Sequence, residues 1–310
     1  MSQLTPPTDE VLAWGESARR DLPWRRTRDP WQVLVAEVML QQTQVERVAP
    51  KWTDFIERFP TPDRCASAVL AEVLELWRGL GYPRRGRNLW LAAAACTELH
   101  GGSVPDDLDG LLALPGVGPY TARAVLTFAY ERPVGVVDTN IARILARCEG
   151  RSLTRAEAQR VADSWVPAEA AWAWNQTLMD VGAGWCRPSP RCEAGCPLGP
   201  SCRWFSEGRP DPDPALGSAG VSQRQARFEG SDRQARGRLL AVLLDGSVAA
   251  TRVAAAAGLP DDPVRAAAVA ESLVLDGLAS RDGDSLLLGS GSEANRTGPR
   301  SNPQSTPSRL

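Results

Sequence analysis

The stretch Leu114-Pro115-Gly116-Val117-Gly118 constrains this chain more than any other. Glycines at alternate positions allow a tight backbone turn that leaves its N–H groups exposed. The segments on either side, DLDGLLAL and TARAVLTFAYE, carry helical patterns. The predicted element is therefore two helices joined by a hairpin, the second starting at Tyr120. Its exposed N–H groups and the partial positive charge of the helix N-terminus would hold one phosphate, often with a bridging monovalent cation. Such a contact reads a nucleic-acid backbone and positions the protein without reading sequence. Gly116 and Gly118 are the candidate phosphate-binding residues.

The remainder of the first 205 residues is also helical in pattern. Asp29-Pro30 is a helix start, an acid at the cap and proline in the first turn. The helix that follows is predicted to run through WQVLVAEVMLQQTQVERV, with Pro50 stopping its continuation. Further helices are expected in DRCASAVLAEVLELWRGL, RRGRNLWLAAAACTEL, NIARILARCEG and AAWAWNQTLMDVGAGW. Proline, glycine and serine then mark residues 206–226 as a linker. Residues 227–290 read as a small unit, three helices and a strand-like SLLLG, in an order resembling a winged helix. Residues 291–310 are expected to be disordered.

Four of the seven cysteines, Cys186, Cys192, Cys196 and Cys202, follow C-x5-C-x3-C-x5-C. Four thiolates in one loop can wrap an iron–sulfur cubane or a single tetrahedral zinc. The long, uneven spacing favours a [4Fe–4S] cluster over zinc, which usually takes paired CxxC knuckles. An odd cysteine count with no basic-then-apolar start at MSQLTPPTDE argues for free thiols plus a metal site in a cytosolic chain. No apolar run is long enough to span a bilayer.

Two carboxylates stand out. Glu37 lies among Val35, Val38, Met39 and Leu40, where desolvation would keep it protonated near neutrality. Asp138 follows the apolar Val134–Val137 run and precedes a helix starting near Asn140, whose N-terminus favours an ionised acid. Together they are a general acid and a fixed negative charge, the division of labour that glycosidic-bond cleavage uses. Read locally, Asp138 is more readily a plain helix cap, and Glu37 could be a solvated helix residue.

The motifs taken together change those readings. LPWR at 22–25, EVMLQQTQV at 37–45, GLGY at 79–82, RNL at 87–89, LPGVGPYTA at 114–122, VDTN at 137–140 and the cysteine loop resemble the helix-hairpin-helix DNA glycosylases, and among them the MutY-type adenine DNA glycosylases. The resemblance implies an all-α fold: a six-helix barrel at 29–135, and an iron–sulfur helical domain from 1–28 and 136–205. It implies removal of adenine mispaired with 8-oxoguanine or guanine in double-stranded DNA, by a monomeric bacterial cytosolic enzyme. Glu37 would protonate the adenine and assist the water, and Asp138 would stabilise the cationic sugar. Tyr120 and Asn140 would line the site beside them. Arg20, Trp24, Leu40, Val45 and Gln176 would hold the flipped base. Gln42 and Tyr82 would wedge into the stack and Thr43 would touch the opposite guanine, with Arg85 and Arg87 on the DNA backbone. Endonuclease III-type relatives carry a lysine at position 120 that cuts the strand through a Schiff base. Tyrosine there, and Lys51 as the only lysine, imply a glycosylase without lyase activity. Thymine-mismatch glycosylases share that tyrosine and are one alternative; a catalytically silent DNA-binding scaffold is the other.

The chain also departs from the pattern. Its second cluster cysteine comes one residue early, Pro83 replaces an aromatic, and Thr139 replaces a glycine. Residues 227–290 are too short and too helical for the Nudix-like domain that commonly senses 8-oxoguanine. A net charge of −2 over the chain gives no overall basic signal. The small unit, with more acids than arginines, is read as a packing or partner module as readily as a DNA binder.

Overall fold

The computed structural model describes residues 6–218 and 227–289. In chain order its α-helices are α1 (Thr8–Ala18), α2 (Pro30–Leu40), α3 (Val45–Arg58), α4 (Pro62–Ala66), α5 (Leu70–Leu76), α6 (Arg84–Leu99), α7 (Leu108–Ala113), α8 (Pro119–Phe128), α9 (Thr139–Glu149), α10 (Arg155–Trp165), α11 (Ala171–Gly184), α12 (Arg203–Ser206), α13 (Asp232–Asp245), α14 (Val253–Ala256) and α15 (Pro263–Leu275). Three short strands, β1 (Val248–Ala249), β2 (Ala279–Asp282) and β3 (Ser285–Leu288), lie in the C-terminal part. The chain divides into two compact units, residues 1–65 with 92–226 and residues 66–91 with 227–310.

In the first unit α2 packs against α3 and α8, and α11 packs against α1 and α9. Asp29 caps α2 by accepting the Gln32 N–H at 2.9 Å, with Pro30 in the first turn. Trp31, Val33, Leu34, Val35, Ala36, Val38 and Met39 are all buried, so α2 is apolar around nearly its whole circumference. Trp31 and Trp52 donate their indole N–H groups to the Phe59 and Gln32 carbonyls, both at 2.9 Å. A second core gathers Val11, Ile141, Ile144, Leu145, Trp174, Leu178 and Val181 beside the cysteine loop. Gly182 lets α11 approach α9 closely, since a Cβ there would sit 2.5 Å from the Cβ of Asn140.

Several boundaries differ from the sequence reading. The single helix expected over 31–48 is two, broken at Gln41–Gln44, where Gln42 takes a left-handed φ of 57°. Pro50 does not end α3 but sits inside it. It falls within the first two turns, so one backbone hydrogen bond is forfeited while buried Val48, Trp52 and Phe55 keep the helix on the core. The helix expected across 63–80 is likewise interrupted between α4 and α5. The segment read as linker from 206 is laid onto the first unit up to Ser218. Asp213 pairs with buried Arg147 at 2.6 Å, and Ser218 Oγ accepts the Leu153 N–H at 3.2 Å. Residues 219–226 and the tail at 291–310 lie outside the described residues.

The second unit joins α5 and the start of α6 to the C-terminal helices and sheet. Its strands form an antiparallel sheet of order β1-β3-β2, with Val248 opposite Leu286 and Ser280 opposite Leu287. Helix, strand, two helices and a strand pair follow one another in winged-helix order. β1 is only two residues long and left no pattern, and the helix expected through Ser280 ends at Leu275, so that Ala279–Asp282 pairs as β2. Leu239, Leu243, Val269, Leu273, Leu278 and Leu286 form the core. α13 packs on α5, and Arg78 on the 66–91 segment pairs with Asp245 at the end of α13 at 3.0 Å.

Candidate active site

A cleft of about 1130 Å³ opens in the first unit between the end of α2, the hairpin before α8 and the start of α9. It is lined by thirteen of the residues singled out from sequence. These are Arg20, Trp24, Glu37, Leu40, Gln42, Thr43, Val45, Gly116, Gly118, Tyr120, Asp138, Asn140 and Gln176. They come from five separate stretches of chain, which the packing of α2, α8, α9 and α11 brings to one wall.

Glu37 is only 4% exposed, and the Tyr120 hydroxyl donates to its Oε2 at 2.8 Å. Burial raises the Glu37 carboxyl to about 7. The Tyr120 hydrogen bond and Arg25 oppose this rise, and the nearby Asp138 charge adds to it. Burial also pushes Tyr120 well above its ordinary value, helped by the charges of Glu37 and Asp138, so it stays a neutral donor.

Asp138 is the N-cap of α9. Its Oδ1 accepts the Ile141 N–H at 2.7 Å and its Oδ2 accepts the Asn140 side-chain amide at 2.9 Å. The sequence reading had the helix end favouring the ionised form. The hydrogen bonds from Ile141 and Asn140 and the charge of Arg143 do pull in that direction, but burial outweighs them and the net shift is upward. Asn140 is held in turn by Arg143, whose Nη2 donates to Asn140 Oδ1 at 2.6 Å. Arg143 Nε donates to the Cys186 carbonyl at 2.9 Å, so a chain of hydrogen bonds runs from the acid to the cysteine loop.

In the hairpin only Gly116 needs glycine's conformational freedom, at φ 79°. Gly118 has an ordinary φ of −102° and caps α8. A Cβ at Gly118 would meet nothing within 4 Å, so its glycine leaves the backbone open to close approach.

Two residues missed in the sequence anchor this wall. Asp180 receives a bidentate pair from buried Arg25, at 2.7 and 3.0 Å, and also the Arg20 backbone N–H and Nε. Asp180 follows Gln176 by one helical turn on α11, and Arg25 closes LPWR. That spacing was the available signal. Arg20, expected to hold a base, is already committed to Asp180, and its side chain is 44% exposed.

Tyr82, Arg85 and Arg87 belong to the second unit and do not line this cleft. Arg87 was expected on DNA. It is instead 8% exposed, with its guanidinium against Gly277. Arg85 lies over the rings of Trp77 and Tyr82, each at 5.5 Å, and donates to the Leu80 and Gly81 carbonyls at 3.0 Å.

Cys186, Cys192, Cys196 and Cys202 surround a small pocket with Ile144, Leu198 and Phe205. Cys148, which the spacing pattern left aside, also lines it and hydrogen-bonds Cys202. Arg147 Nη1 donates to Cys186 Sγ at 3.2 Å. Among the described residues no three of these groups converge as ligands of one ion. An all-sulfur donor set around an enclosed, largely apolar space with a cation beside it fits an iron–sulfur cluster.

The profile of the HhH-GPD superfamily of base excision DNA repair proteins matches residues 35–168. Over 291 residues the chain is 43% identical to the adenine DNA glycosylase of Mycolicibacterium smegmatis, covering 91% of this chain and 96% of that one. It is 37% identical over 218 residues to the human adenine DNA glycosylase, covering 66% of this chain and 40% of the human protein. A solved structure of a thermostable thymine-DNA glycosylase superposes with TM-score 0.60 at 27% identity, covering 64% of this chain and 95% of that one. An endonuclease III–DNA complex trapped as a covalent intermediate superposes with TM-score 0.57 at 27% identity, covering 66% and 95%. Motif, fold and overall identity agree: the chain belongs to the adenine DNA glycosylase family of helix-hairpin-helix base excision repair proteins.

Proposed function

We propose that this chain hydrolyses the N-glycosidic bond of adenine mispaired with 8-oxoguanine or guanine in duplex DNA and leaves the strand uncut. The observation that carries the reading is the buried Glu37, protonated near neutral pH and held by Tyr120, sharing one cleft with Asp138. A base inside a duplex is out of reach, so adenine must be flipped into the cleft. Trp24, Leu40 and Val45 give that cleft an apolar wall, and Gln176 and Arg20 give it polar edges. Glu37 donates its proton to the leaving base, and as a carboxylate it then takes one from the attacking water. Asp138, capped from two sides, holds its charge beside the sugar as positive charge develops. The hairpin N–H groups fix a backbone phosphate, with a monovalent cation as bridge, and Gln42 and Thr43 lie at the rim to meet the opened stack. Tyr120 supports monofunctionality, because a neutral phenol has no amine with which to form a Schiff base. Lys51 does not line the cleft.

An end-labelled duplex with adenine opposite 8-oxoguanine tests this directly. Strand scission at the adenine is expected only after hot alkali, and borohydride is expected to trap no covalent adduct. Scission without alkali, or a trapped adduct, would remove the monofunctional reading. Excision of thymine opposite guanine with adenine left intact would move the chain to the thymine enzymes.

Cys186, Cys192, Cys196 and Cys202 would hold a [4Fe–4S] cluster. A cluster there would tie the loop together and supply redox chemistry. Protein purified without oxygen is expected to be brown, with about four irons per chain. A colourless protein carrying one zinc would overturn the assignment.

A further inference from the structure

The second unit carries an alternating stack of rings and guanidinium groups. Arg85 lies 5.5 Å from both the Trp77 and Tyr82 ring centroids, and Arg233 lies 6.0 Å from both Tyr82 and Phe228. Phe228, at the open end, is 57% exposed. Arg233 Nη1 also donates to the Tyr82 hydroxyl at 2.8 Å. Tyr82 itself sits at φ 48°, a left-handed backbone that a bulky residue keeps only when its surroundings hold it there. Gly79 and Gly81 share that handedness, and the Gly81 carbonyl is fixed by Trp77 Nε1 and Arg85. Trp77, Arg85 and Tyr82 come from the 66–91 segment, whereas Arg233 comes from the first turn of α13 and Phe228 from the chain just before it.

We propose that Arg233 is a positioning residue for Tyr82, through which the C-terminal winged-helix-like unit takes part in reading the mispair. The proposal rests on the adenine-glycosylase reading. A guanidinium and rings stacked at a surface are chemistry that receives an unstacked base. Arg233 fixes the hydroxyl end of Tyr82, and Phe228 extends the platform. The unit as a whole needs no basic surplus for this, because the contact is made by stacking and not by bulk charge.

The test uses the full chain. Binding is measured to a duplex carrying 2′-fluoro-2′-deoxyadenosine, which resists cleavage, opposite 8-oxoguanine or guanine. Single-turnover excision is measured on the matching adenine duplexes. Arg233→Ala is expected to weaken binding to the 8-oxoguanine duplex by about tenfold or more, the scale of one lost stacking contact. The preference over guanine should narrow, while the excision rate at saturating enzyme stays within about twofold. Arg233→Lys should recover part of the loss by donating to the hydroxyl. Tyr82→Phe combined with Arg233→Ala should bind no worse than the poorer single variant, because both act on one contact. Arg281→Ala, which removes an exposed charge on β2, should change neither quantity. Unchanged binding and preference in Arg233→Ala, additive effects with Tyr82→Phe, or an equal loss in Arg281→Ala would each overturn the proposal. Wild-type protein that releases no adenine would instead overturn the functional reading, while the binding measurements would still judge the stack.

Discussion

Glu37→Gln is expected to lower adenine excision by about three orders of magnitude and, at pH 8, to make the protein more stable. The activity loss follows from removing the general acid, whose contribution is typically 10²–10⁴-fold. Glutamine keeps an oxygen to accept from the Tyr120 hydroxyl, so the cleft should keep its shape. The stability gain has a separate origin. Burial moves the Glu37 carboxyl from 4.5 to about 7. Between those values the folded chain keeps a proton that the unfolded chain has released, so stability falls as pH rises through the interval. The full penalty, about 3 kcal/mol at 1.36 kcal/mol per unit, is present above pH 7. The variant has no such group. Urea unfolding should therefore separate the two proteins at pH 8 and bring them together toward about pH 4. Wild-type single-turnover excision should decline about tenfold per pH unit above 7, as the protonated fraction of Glu37 falls. A wild-type rate that climbs through pH 8, or a glutamine variant less stable than wild type at that pH, would show that Glu37 is not held as a buried acid.

Much of this was legible in the sequence because local chemistry and global fold agree at those points. Asp29-Pro30 starts α2 as an acid-then-proline cap should. Gly116 takes the left-handed turn the hairpin requires, and Glu37 is buried on the apolar helix that its sequence neighbours form. The misreadings share another cause, in that tertiary contacts overrode local signals. Pro50 reads as a stop, but the buried side of α3 carries the helix past it. Residues 206–218 read as linker from their prolines and glycines, yet Asp213 is drawn to Arg147, sixty-six positions earlier and almost wholly buried. Arg87 reads as a phosphate contact and is instead packed against a glycine of a domain that begins far downstream. Asp180 carried only its spacing one turn after Gln176 as a mark, because its meaning lies in two arginines brought to it from the N-terminal segment. A burial partner distant in sequence leaves no periodicity behind, and these were the positions where pattern reading failed.

Asp138→Asn separates two roles that the sequence could not tell apart. The structure shows the residue capping α9, which by itself is the bland reading of an aspartate before a helix. Asparagine caps nearly as well as aspartate, so the Ile141 N–H keeps its acceptor; its amide meets the Asn140 amide in place of Oδ2, and the one hydrogen bond lost should lower unfolding free energy by about 1–2 kcal/mol. What the substitution removes is the negative charge. If Asp138 were only a cap, excision would be nearly unchanged. If it stabilises the cationic sugar, excision should fall by about 10²–10³-fold, the usual scale for losing one preorganised electrostatic partner. The second oxygen favours the latter outcome. A cap needs one acceptor, but Oδ2 is also held, by an amide that Arg143 fixes in turn. Two-sided restraint of a buried carboxylate costs desolvation that capping alone does not require, and it is the preorganisation that a charge-stabilising role demands. A labelled-duplex assay beside a urea melt of the same variant gives both numbers. A cooperative melt within about 2 kcal/mol of wild type with excision lost would place the charge in the chemistry, whereas wild-type excision would return Asp138 to the role of a helix cap.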